Sequence, residues 1–264
     1  MIIEISSKEN EKIKYTRSLL KSKNRYSENK YVIEGYRIVT QALDCNASID
    51  YIVFNDDFAN KKEFMIIDTL KSRNIPIYKT TNKLFKDLVD TENTQGILAV
   101  INIKENNLKD LIKDKTKFVV MLDRIQDPGN MGTIIRTADA AGVDLIITLK
   151  GSVDIYNPKV IRSTMGSIFN MKTISLDEED AIKTLKGNEF NIVSSYLDTD
   201  NYYSNVDYGS KVALVIGNEA NGINDEIIKK SDILVKIPIY GSSESLNAAI
   251  SAGILMYEIK KYLV

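Results

Sequence analysis

The sequence contains no histidine and a single cysteine, Cys45, among its 264 residues. Catalysis by Ser-His-Asp or Cys-His groups is therefore excluded, because both need an imidazole. A zinc site built on histidine and cysteine is excluded for the same reason, and one cysteine cannot form an intramolecular disulfide. Any general acid or base has to be a carboxylate, a lysine, a tyrosine, a substrate group or water. These absences remove most hydrolase classes, and we expect no metal site.

Long apolar runs are missing as well. No run approaches the roughly 18 uninterrupted apolar residues of a membrane span. Residues 1–9 (MIIEISSKE) lack the basic region followed by an apolar core that marks a signal peptide. We therefore expect a cytoplasmic protein that has no membrane partner.

The net charge of −1 conceals a basic segment near the start of the chain. Residues 8–37 contain nine lysines and arginines against four acidic residues, a local excess of five positive charges. Interleaved tyrosines in the same segment could stack on bases: Tyr15, Tyr26, Tyr31 and Tyr36. Such a segment is more often a solvated helix face, and nucleic-acid binding is the alternative. On the second interpretation, Arg17, Lys21 and Arg25 would contact phosphates.

Strands alternate with helices over the first hundred residues. The apolar pattern predicts strands at 31–34, 49–54, 75–78 and 96–103, and helices at 8–21, 35–43, 58–70 and 83–89. This order is typical of a small α/β domain, which we place at residues 1–104. The polar stretch 105–116 that follows is predicted to be a linker with at most one helical turn.

A second α/β domain is predicted over residues 117–264. Short apolar runs at 118–122, 143–148, 171–175, 190–195, 212–216 and 233–237 read as buried strands separated by helices. Runs of this kind are typical of a parallel sheet covered on both faces. The last helix, expected to start near residues 243–245, is apolar nearly all round as far as Glu258. Such a helix is either enclosed in its own domain or forms a subunit interface, and we favour a homodimer.

Three glycine-containing loops follow strands of this second domain. They are residues 127–132 (DPGNMG), 217–222 (GNEANG) and 237–247 (IPIYGSSESLN). None is a Walker A motif or a complete dinucleotide fingerprint. Ligands of parallel sheets bind where strands end and helices begin, so we expect the three loops to form one pocket.

Polar side chains in these loops have ordinary as well as functional interpretations. Arg136 could be a surface arginine, and Glu219 could be a carboxylate at a helix N-terminus. Ser245 and Asn247 could simply cap the last helix. Position alone does not decide between these alternatives.

The loop sequences resemble the motifs of one enzyme family. Residues 127–142 (DPGNMGTIIRTADAAG), 214–223 (LVIGNEANGI) and 237–251 (IPIYGSSESLNAAIS) resemble, in this order, the three motifs of the SpoU (TrmH-like) RNA 2'-O-ribose methyltransferases of the SPOUT superfamily. Residues 14–17 (KYTR) and 32–35 (VIEG) are more loosely similar to the L30e-like substrate-binding domain of the rRNA-methylating, TsnR-like branch.

This resemblance implies a trefoil-knotted C-terminal domain, an exception to the rule that chains do not thread loops. It also implies S-adenosylmethionine as cofactor, a homodimer with a shared site, and RNA as substrate, with rRNA expected. The positions that match the family's catalytic and substrate-binding residues are Asn130, Arg136, Glu219, Ser245 and Asn247. The implied cofactor-binding positions are Gly217, Ile237, Leu246 and, less specifically, Ser195, and Arg162 matches a position that helps to hold RNA.

The implied reaction is in-line transfer of a methyl group to a ribose 2'-hydroxyl. An arginine is very hard to deprotonate, so we hypothesise that Arg136 fixes a phosphate and stabilises the developing alkoxide. The proton would then leave to a phosphate oxygen or to water. The alternatives are the same chemistry on tRNA, and a non-catalytic RNA-binding or ribosome-assembly protein with the same fold.

Overall fold

A computed structural model describes residues 2–104 and 106–263, and the chain divides into two compact units. The first unit contains Met1–Glu105 with Asp154–Phe169, and the second contains Asn106–Val153 with Asn170–Val264. Residues 2–104 form, in order, β1 (Ile2–Ile5), α1 (Glu11–Ser18), α2 (Ser22–Glu28), β2 (Lys30–Glu34), α3 (Tyr36–Asp44), β3 (Ile49–Asn55), α4 (Asp56–Ala59), α5 (Ile66–Ser72), β4 (Ile77–Thr80), α6 (Asn82–Lys86) and β5 (Ile97–Asn102). Residues 106–263 form α7 (Leu108–Leu111), β6 (Phe118–Leu122), α8 (Pro128–Ala141), β7 (Leu145–Leu149), α9 (Pro158–Thr164), β8 (Thr173–Leu176), α10 (Glu178–Gly187), β9 (Asn191–Ser195), β10 (Val212–Ile216), α11 (Asp225–Lys230), β11 (Ile233–Val235) and α12 (Ala248–Tyr262).

The sheet of the first unit has the strand order β1-β4-β3-β5-β2. β1, β4 and β3 run parallel, and β5 runs antiparallel to β3 and β2. The strands predicted at 31–34, 49–54 and 96–103 are confirmed, the one at 75–78 begins two residues later, and β1 escaped prediction.

Two predicted helices of the first unit are interrupted. The helix expected at 8–21 ends at Ser18, where the carbonyls of Leu19 and Leu20 accept hydrogen bonds from Arg25 Nη1 at 2.9 and 2.8 Å. The helix expected at 58–70 divides into α4, a 3₁₀ turn and α5. Phe58 and Phe64, which would point in different directions from one continuous helix, both pack against Phe54 here.

Residues 154–169 lie in the first unit although they follow β7 in sequence. Asp154 Oδ2 accepts a hydrogen bond from Arg25 Nε at 2.9 Å, and its Oδ1 accepts one from the Tyr26 hydroxyl at 2.9 Å. Arg25 is only 3% exposed, so this ion pair is buried. The expectation that a single uninterrupted segment, 117–264, forms the second domain is thereby corrected.

The described part of the predicted linker, residues 106–116, contains the one expected helical turn, α7, and belongs to the second unit. Leu111, in α7, belongs to the hydrophobic core of the second unit, and Ile112 packs against that core. Asn106 Nδ2 also donates a hydrogen bond to the carbonyl of Thr173 at 3.0 Å. These residues are therefore an integral part of the second unit, because burial of apolar side chains fixes them there.

The second unit contains a parallel sheet with the order β11-β9-β10-β6-β7-β8. All its carboxyl ends consequently lie along one edge. β6 and β10 are neighbours in the middle, with Leu122 opposite Ile216. The chain leaves β6 towards β7 and β8 and later occupies the other side of β10, so the strand order reverses at the β6–β10 boundary.

Two helices that flank this edge begin elsewhere than predicted. α8 begins at Pro128, so most of the first loop is the first turn of that helix, and Asp127 caps it by accepting from the N–H of Asn130 at 2.8 Å. α12 begins at Ala248 and not near residues 243–245, because Asn247 is its cap. None of the helices in residues 2–104 and 106–263 combines the length and apolar character needed to cross a bilayer.

Candidate functional site

A cavity of about 310 Å³ lies at the carboxyl edge of the parallel sheet of the second unit. It is lined by residues that follow β9, β10 and β11 and by the start of α12. All four predicted cofactor residues line it: Ser195, Gly217, Ile237 and Leu246. The second and third glycine-containing loops therefore share one cavity, as the sequence predicts.

A chain of hydrogen bonds joins all three loops. Glu219 Oε1 accepts from Asn130 Nδ2 at 3.0 Å, and Asn130 Oδ1 accepts from Asn247 Nδ2 at 2.8 Å. Asn247 Oδ1 in turn accepts from the N–H of Ala249 at 2.9 Å, which caps α12. One carboxylate, two amides and a helix N-terminus thus form a continuous relay that joins the three loops, but the cavity is lined by residues of the second and third loops and not by residues 127–132.

The Glu219 carboxylate is held in its ionised form. Partial burial raises its pKa, but hydrogen bonds from the Asn130 amide and from the backbone N–H groups of Gln126 and Asp127 outweigh that effect. The pKa consequently lies below its usual value of 4.5. A carboxylate with a lowered pKa is a weak base, so Glu219 is suited to orient the loops and poorly suited to remove a proton.

We expect this shift to make stability depend on pH. Because the folded-state pKa is lowered, the contribution of Glu219 is fully present above the unfolded-state pKa of about 4.5 and is lost as the pH falls through the folded value. The difference in melting temperature between the wild type and Glu219→Gln should be constant from about pH 7 to 5 and shrink below about 4.5. Asn130→Ala, which removes one donor, should raise the folded-state pKa towards 4.5, so that the loss is smaller and is complete at a higher pH. A difference that persists unchanged at about pH 3 would show that the carboxylate contributes nothing.

The loop after β10 folds back on itself at Gly217. A Cβ atom there would lie 2.4 Å from the carbonyl carbon of Gly222 and 2.4 Å from the nitrogen of Ile223. Only glycine allows this approach of backbone to backbone. The turn places the backbone of residue 217 in the cavity wall.

The loop after β11 presents its backbone to the cavity. Within the described chain, backbone groups of residues 237–246 form only one hydrogen bond, which the Ser245 carbonyl accepts from Ser243 Oγ at 2.9 Å. Unpaired N–H and C=O groups beside apolar side chains such as Ile237 and Leu246 suit a ligand with a polar purine and an apolar methyl group. The residues present therefore fit S-adenosylmethionine. Ser245 lines the cavity, but its expected role as helix cap belongs to Asn247.

Arg136 lies two turns into α8, on the face of that helix away from its buried residues Ile134, Ile135 and Ala138. Its side chain is exposed, and no ion pair or hydrogen bond joins it to another residue of the described chain. An unpaired guanidinium on an exposed helix face is available to a phosphate.

The predicted RNA-binding residues of the first unit fall into two groups. Arg17 and Lys21 are exposed. The prediction that Arg25 contacts RNA is wrong. Arg25 is buried, and its guanidinium donates to Asp154 and to two carbonyls, so it cannot reach a phosphate. Arg162, in α9, is half-exposed and forms an ion pair with Asp90 at 2.6 Å.

Sequence reasoning missed Asn218, which organises the second loop. This side chain is buried, its Oδ1 accepts from the N–H groups of Ala220 and Asn221 at 3.0 and 2.9 Å, and its Nδ2 donates to the Arg124 carbonyl. An asparagine in a glycine-containing turn could have indicated this role, because asparagine side chains hydrogen-bond to the backbone two residues further on.

Two family profiles match the chain. The SpoU rRNA methylase family matches residues 117–257, and the MRM3-like substrate binding domain matches residues 10–99. The 23S rRNA (guanosine(2553)-2'-O)-methyltransferase RlmP of Bacillus subtilis is 32% identical over 97% of this chain and 99% of that protein. The crystal structure of an AdoMet-bound rRNA methyltransferase from Sinorhizobium meliloti is 30% identical, covers 100% of this chain and 99% of that one, and superposes with a TM-score of 0.88. The SpoU methyltransferase AviRb from Streptomyces viridochromogenes, 23% identical over 96% of this chain and 98% of its own, has the same fold with a TM-score of 0.85.

These similarities extend over both units and confirm the predicted α/β fold with its parallel sheet. S-adenosylmethionine is the cofactor, in agreement with the cavity described above. The chain belongs to the SpoU rRNA methylase family of RNA methyltransferases.

Proposed function

We propose that this protein transfers a methyl group from S-adenosylmethionine to a ribose 2'-hydroxyl of 23S rRNA in the cytoplasm. The observation that carries the proposal is the relay from Glu219 through Asn130 to Asn247, which joins all three loops beside a cavity with unpaired backbone groups. Similarity to RlmP over nearly the whole chain supports 23S rRNA as the substrate.

The cofactor supplies an electrophilic methyl group on a sulfonium. Gly217, Ile237 and Leu246 would hold it, together with Ser195, which lines the cavity at the end of β9. The two amides of the relay, Asn130 and Asn247, fix the loop geometry on which its orientation depends. Correct orientation of two reactants can supply about 7–11 kcal/mol of a barrier.

Arg136 binds the phosphate next to the target ribose and stabilises the negative charge that the 2'-oxygen acquires as its proton leaves. The O–C bond would form as the S–C bond of the sulfonium breaks, which leaves S-adenosylhomocysteine. It does not remove the proton, because a guanidinium stays protonated in proteins. Glu219 does not remove it either, since its lowered pKa makes it a weak base. The proton passes to a phosphate oxygen or to water.

The first unit holds the RNA. Arg17 on α1 and Lys21 just before α2 are exposed cations, and Arg162 lies in the segment 154–169 that packs in the same unit. We therefore propose that residues 1–104 with 154–169 bind RNA and that the remainder carries the chemistry.

Salt titration tests the RNA contacts. Each phosphate contact contributes about 0.7–0.9 to the slope of log affinity against log salt. Arg17→Ala combined with Lys21→Ala should therefore flatten the slope measured with an rRNA fragment by about 1.5. Lys14→Ala, on the same helix but paired with Glu9, is the matched control and should change it little. A wild-type affinity that does not depend on salt would contradict this assignment.

The exposed face of α12 supports a homodimer. Ala252, Leu255 and Met256 are buried on the face that packs against α8 and β10, whereas Ile250 and Tyr257 on the other face are 54% and 53% exposed. Large apolar side chains seven residues apart lie on one side of a helix, so they offer a second copy a continuous apolar stripe.

We expect a dimer in sedimentation equilibrium for the wild type and a monomer for Ile250→Glu, because the acid would be desolvated in the interface. Met65→Glu is the matched control, since Met65 is 80% exposed in the first unit. A monomeric wild type, or a dimeric Ile250→Glu variant, would rule out this interface.

The activity itself is tested with labelled S-adenosylmethionine and, in parallel, 23S rRNA and total tRNA. Mass spectrometry of the digested RNA then locates the methylated nucleotide. We expect a 2'-O-methyl group on 23S rRNA. Labelling of tRNA alone would show that the protein is a tRNA 2'-O-methyltransferase. RNA binding without any labelling would identify a non-catalytic member of the family.

A further inference from the structure

Arg124 has an unusual backbone for a residue with a large side chain. Its φ is 54°, in the left-handed region, and it directly follows Asp123, whose side chain is 3% exposed. A left-handed conformation is unfavourable for residues with a Cβ and persists only where surrounding contacts hold it. The contacts of these two residues show what holds it.

Both ends of the loop after β10 are attached to this dipeptide. At the start of the loop, the Asp123 N–H donates to the Ile216 carbonyl at 2.9 Å, and Asn218 Nδ2 donates to the Arg124 carbonyl at 2.8 Å. At its end, Arg124 Nη2 donates to the Gly222 carbonyl at 3.3 Å, and the Asn224 N–H donates to Asp123 Oδ2 at 2.8 Å.

An ion pair makes the dipeptide rigid. Arg124 Nε and Nη2 donate to Asp123 Oδ1 and Oδ2 at 2.8 and 2.9 Å. The aliphatic part of Arg124 lies over Gly151, where an added Cβ would approach Arg124 Cγ to 3.2 Å. Because the carboxylate is buried and bidentate, the side chain of Arg124 has one geometry available.

The same loop lines the cofactor cavity. Gly217, Asn218 and Gly222 are in its wall, and Glu219 begins the relay to Asn130. We propose that Asp123 and Arg124 are positioning residues that hold the loop 217–224 in its cofactor-binding form. This inference rests on the proposed function, because it takes the cavity to be the S-adenosylmethionine site.

The test compares three full-length variants by calorimetric titration with S-adenosylmethionine. Asp123→Asn removes the charge and keeps the shape, Arg124→Gly removes the side chain but tolerates the positive φ, and Arg124→Lys keeps the charge without the paired donors. We expect the first two to raise the dissociation constant about tenfold, and Arg124→Lys to recover part of the loss.

Kinetics separate positioning from a general structural role. The KM for S-adenosylmethionine should rise about tenfold, with kcat at saturating cofactor and the KM for RNA within about twofold of the wild type. Lys186→Ala, which removes a surface ion pair with Asp232 in the same unit, is the control and should leave all three unchanged. Variants that bind the cofactor like the wild type, even with lower melting temperatures, would overturn the positioning role. A wild type that binds no S-adenosylmethionine would instead overturn the proposed function.

Discussion

Arg136→Ala should lower kcat for RNA methylation on the order of 100- to 1,000-fold while the dissociation constant for S-adenosylmethionine stays within about twofold. Removing one donor from a site that stabilises developing oxyanion charge has effects of this size. The cofactor affinity survives because the cavity is lined by residues that follow β9, β10 and β11 and by the start of α12, and Arg136 is not among them.

Two further variants make the Arg136 result specific. Arg136→Lys keeps the charge but offers no planar pair of donors, so we expect it to recover little activity. Lys183→Ala removes another exposed cation from the second unit, on α10, and should leave kcat unchanged. Single-turnover measurements with excess enzyme separate chemistry from product release. Wild-type rates in Arg136→Ala would exclude any role of the guanidinium in the reaction.

Gly217→Ala should weaken S-adenosylmethionine binding on the order of 100-fold. The added Cβ would meet backbone atoms of Gly222 and Ile223 at 2.4 Å, and a backbone cannot rotate away as a side chain can. Relief requires the loop to open, at a cost of about 1–3 kcal/mol or more. The loop forms the cavity wall, so it has to close again when S-adenosylmethionine binds. The free energy that closing requires weakens binding of the cofactor.

Two glycines serve as controls for this substitution. Gly241→Ala places a Cβ in open space in the neighbouring loop and should leave the affinity within about twofold. Gly222 has open space as well but a φ of +66°, so Gly222→Ala introduces backbone strain without a collision and should give an intermediate loss. Equal affinities for wild type and Gly217→Ala would mean that this loop does not contact the cofactor.

The sequence was informative where a pattern is local. Buried strands such as β6 and β10 appear as short apolar runs, and their order identifies a parallel sheet. The meeting of the three loops followed from the same pattern, because carboxyl ends of parallel strands share an edge. Asp127-Pro at the start of α8 is a helix-start signal that lay inside a stretch interpreted as a loop.

Features that depend on distant partners could not be predicted. Arg25 looked like one more exposed cation because its partner, Asp154, lies 129 residues away. The predicted linker at 105–116 illustrates the same limit, since composition gives no sign that Leu111 enters the hydrophobic core of the second unit. The sequence gives no sign that Arg124 has a left-handed backbone, because arginine has no preference for that region.

The placement of residues 154–169 limits where this protein can be divided into fragments that fold independently. A recombination event or an expression fragment that ends near residue 104 would contain Arg25 without Asp154, and a buried guanidinium without its counter-ion typically costs about 3–5 kcal/mol. The range that matches the SpoU family, 117–257, therefore does not coincide with the second unit of the structure. It includes Asp154, the partner of Arg25, which lies in the first unit. Exchange of substrate-binding modules between relatives would have to be accompanied by matching changes in this inserted segment, so the two pieces of sequence are expected to coevolve.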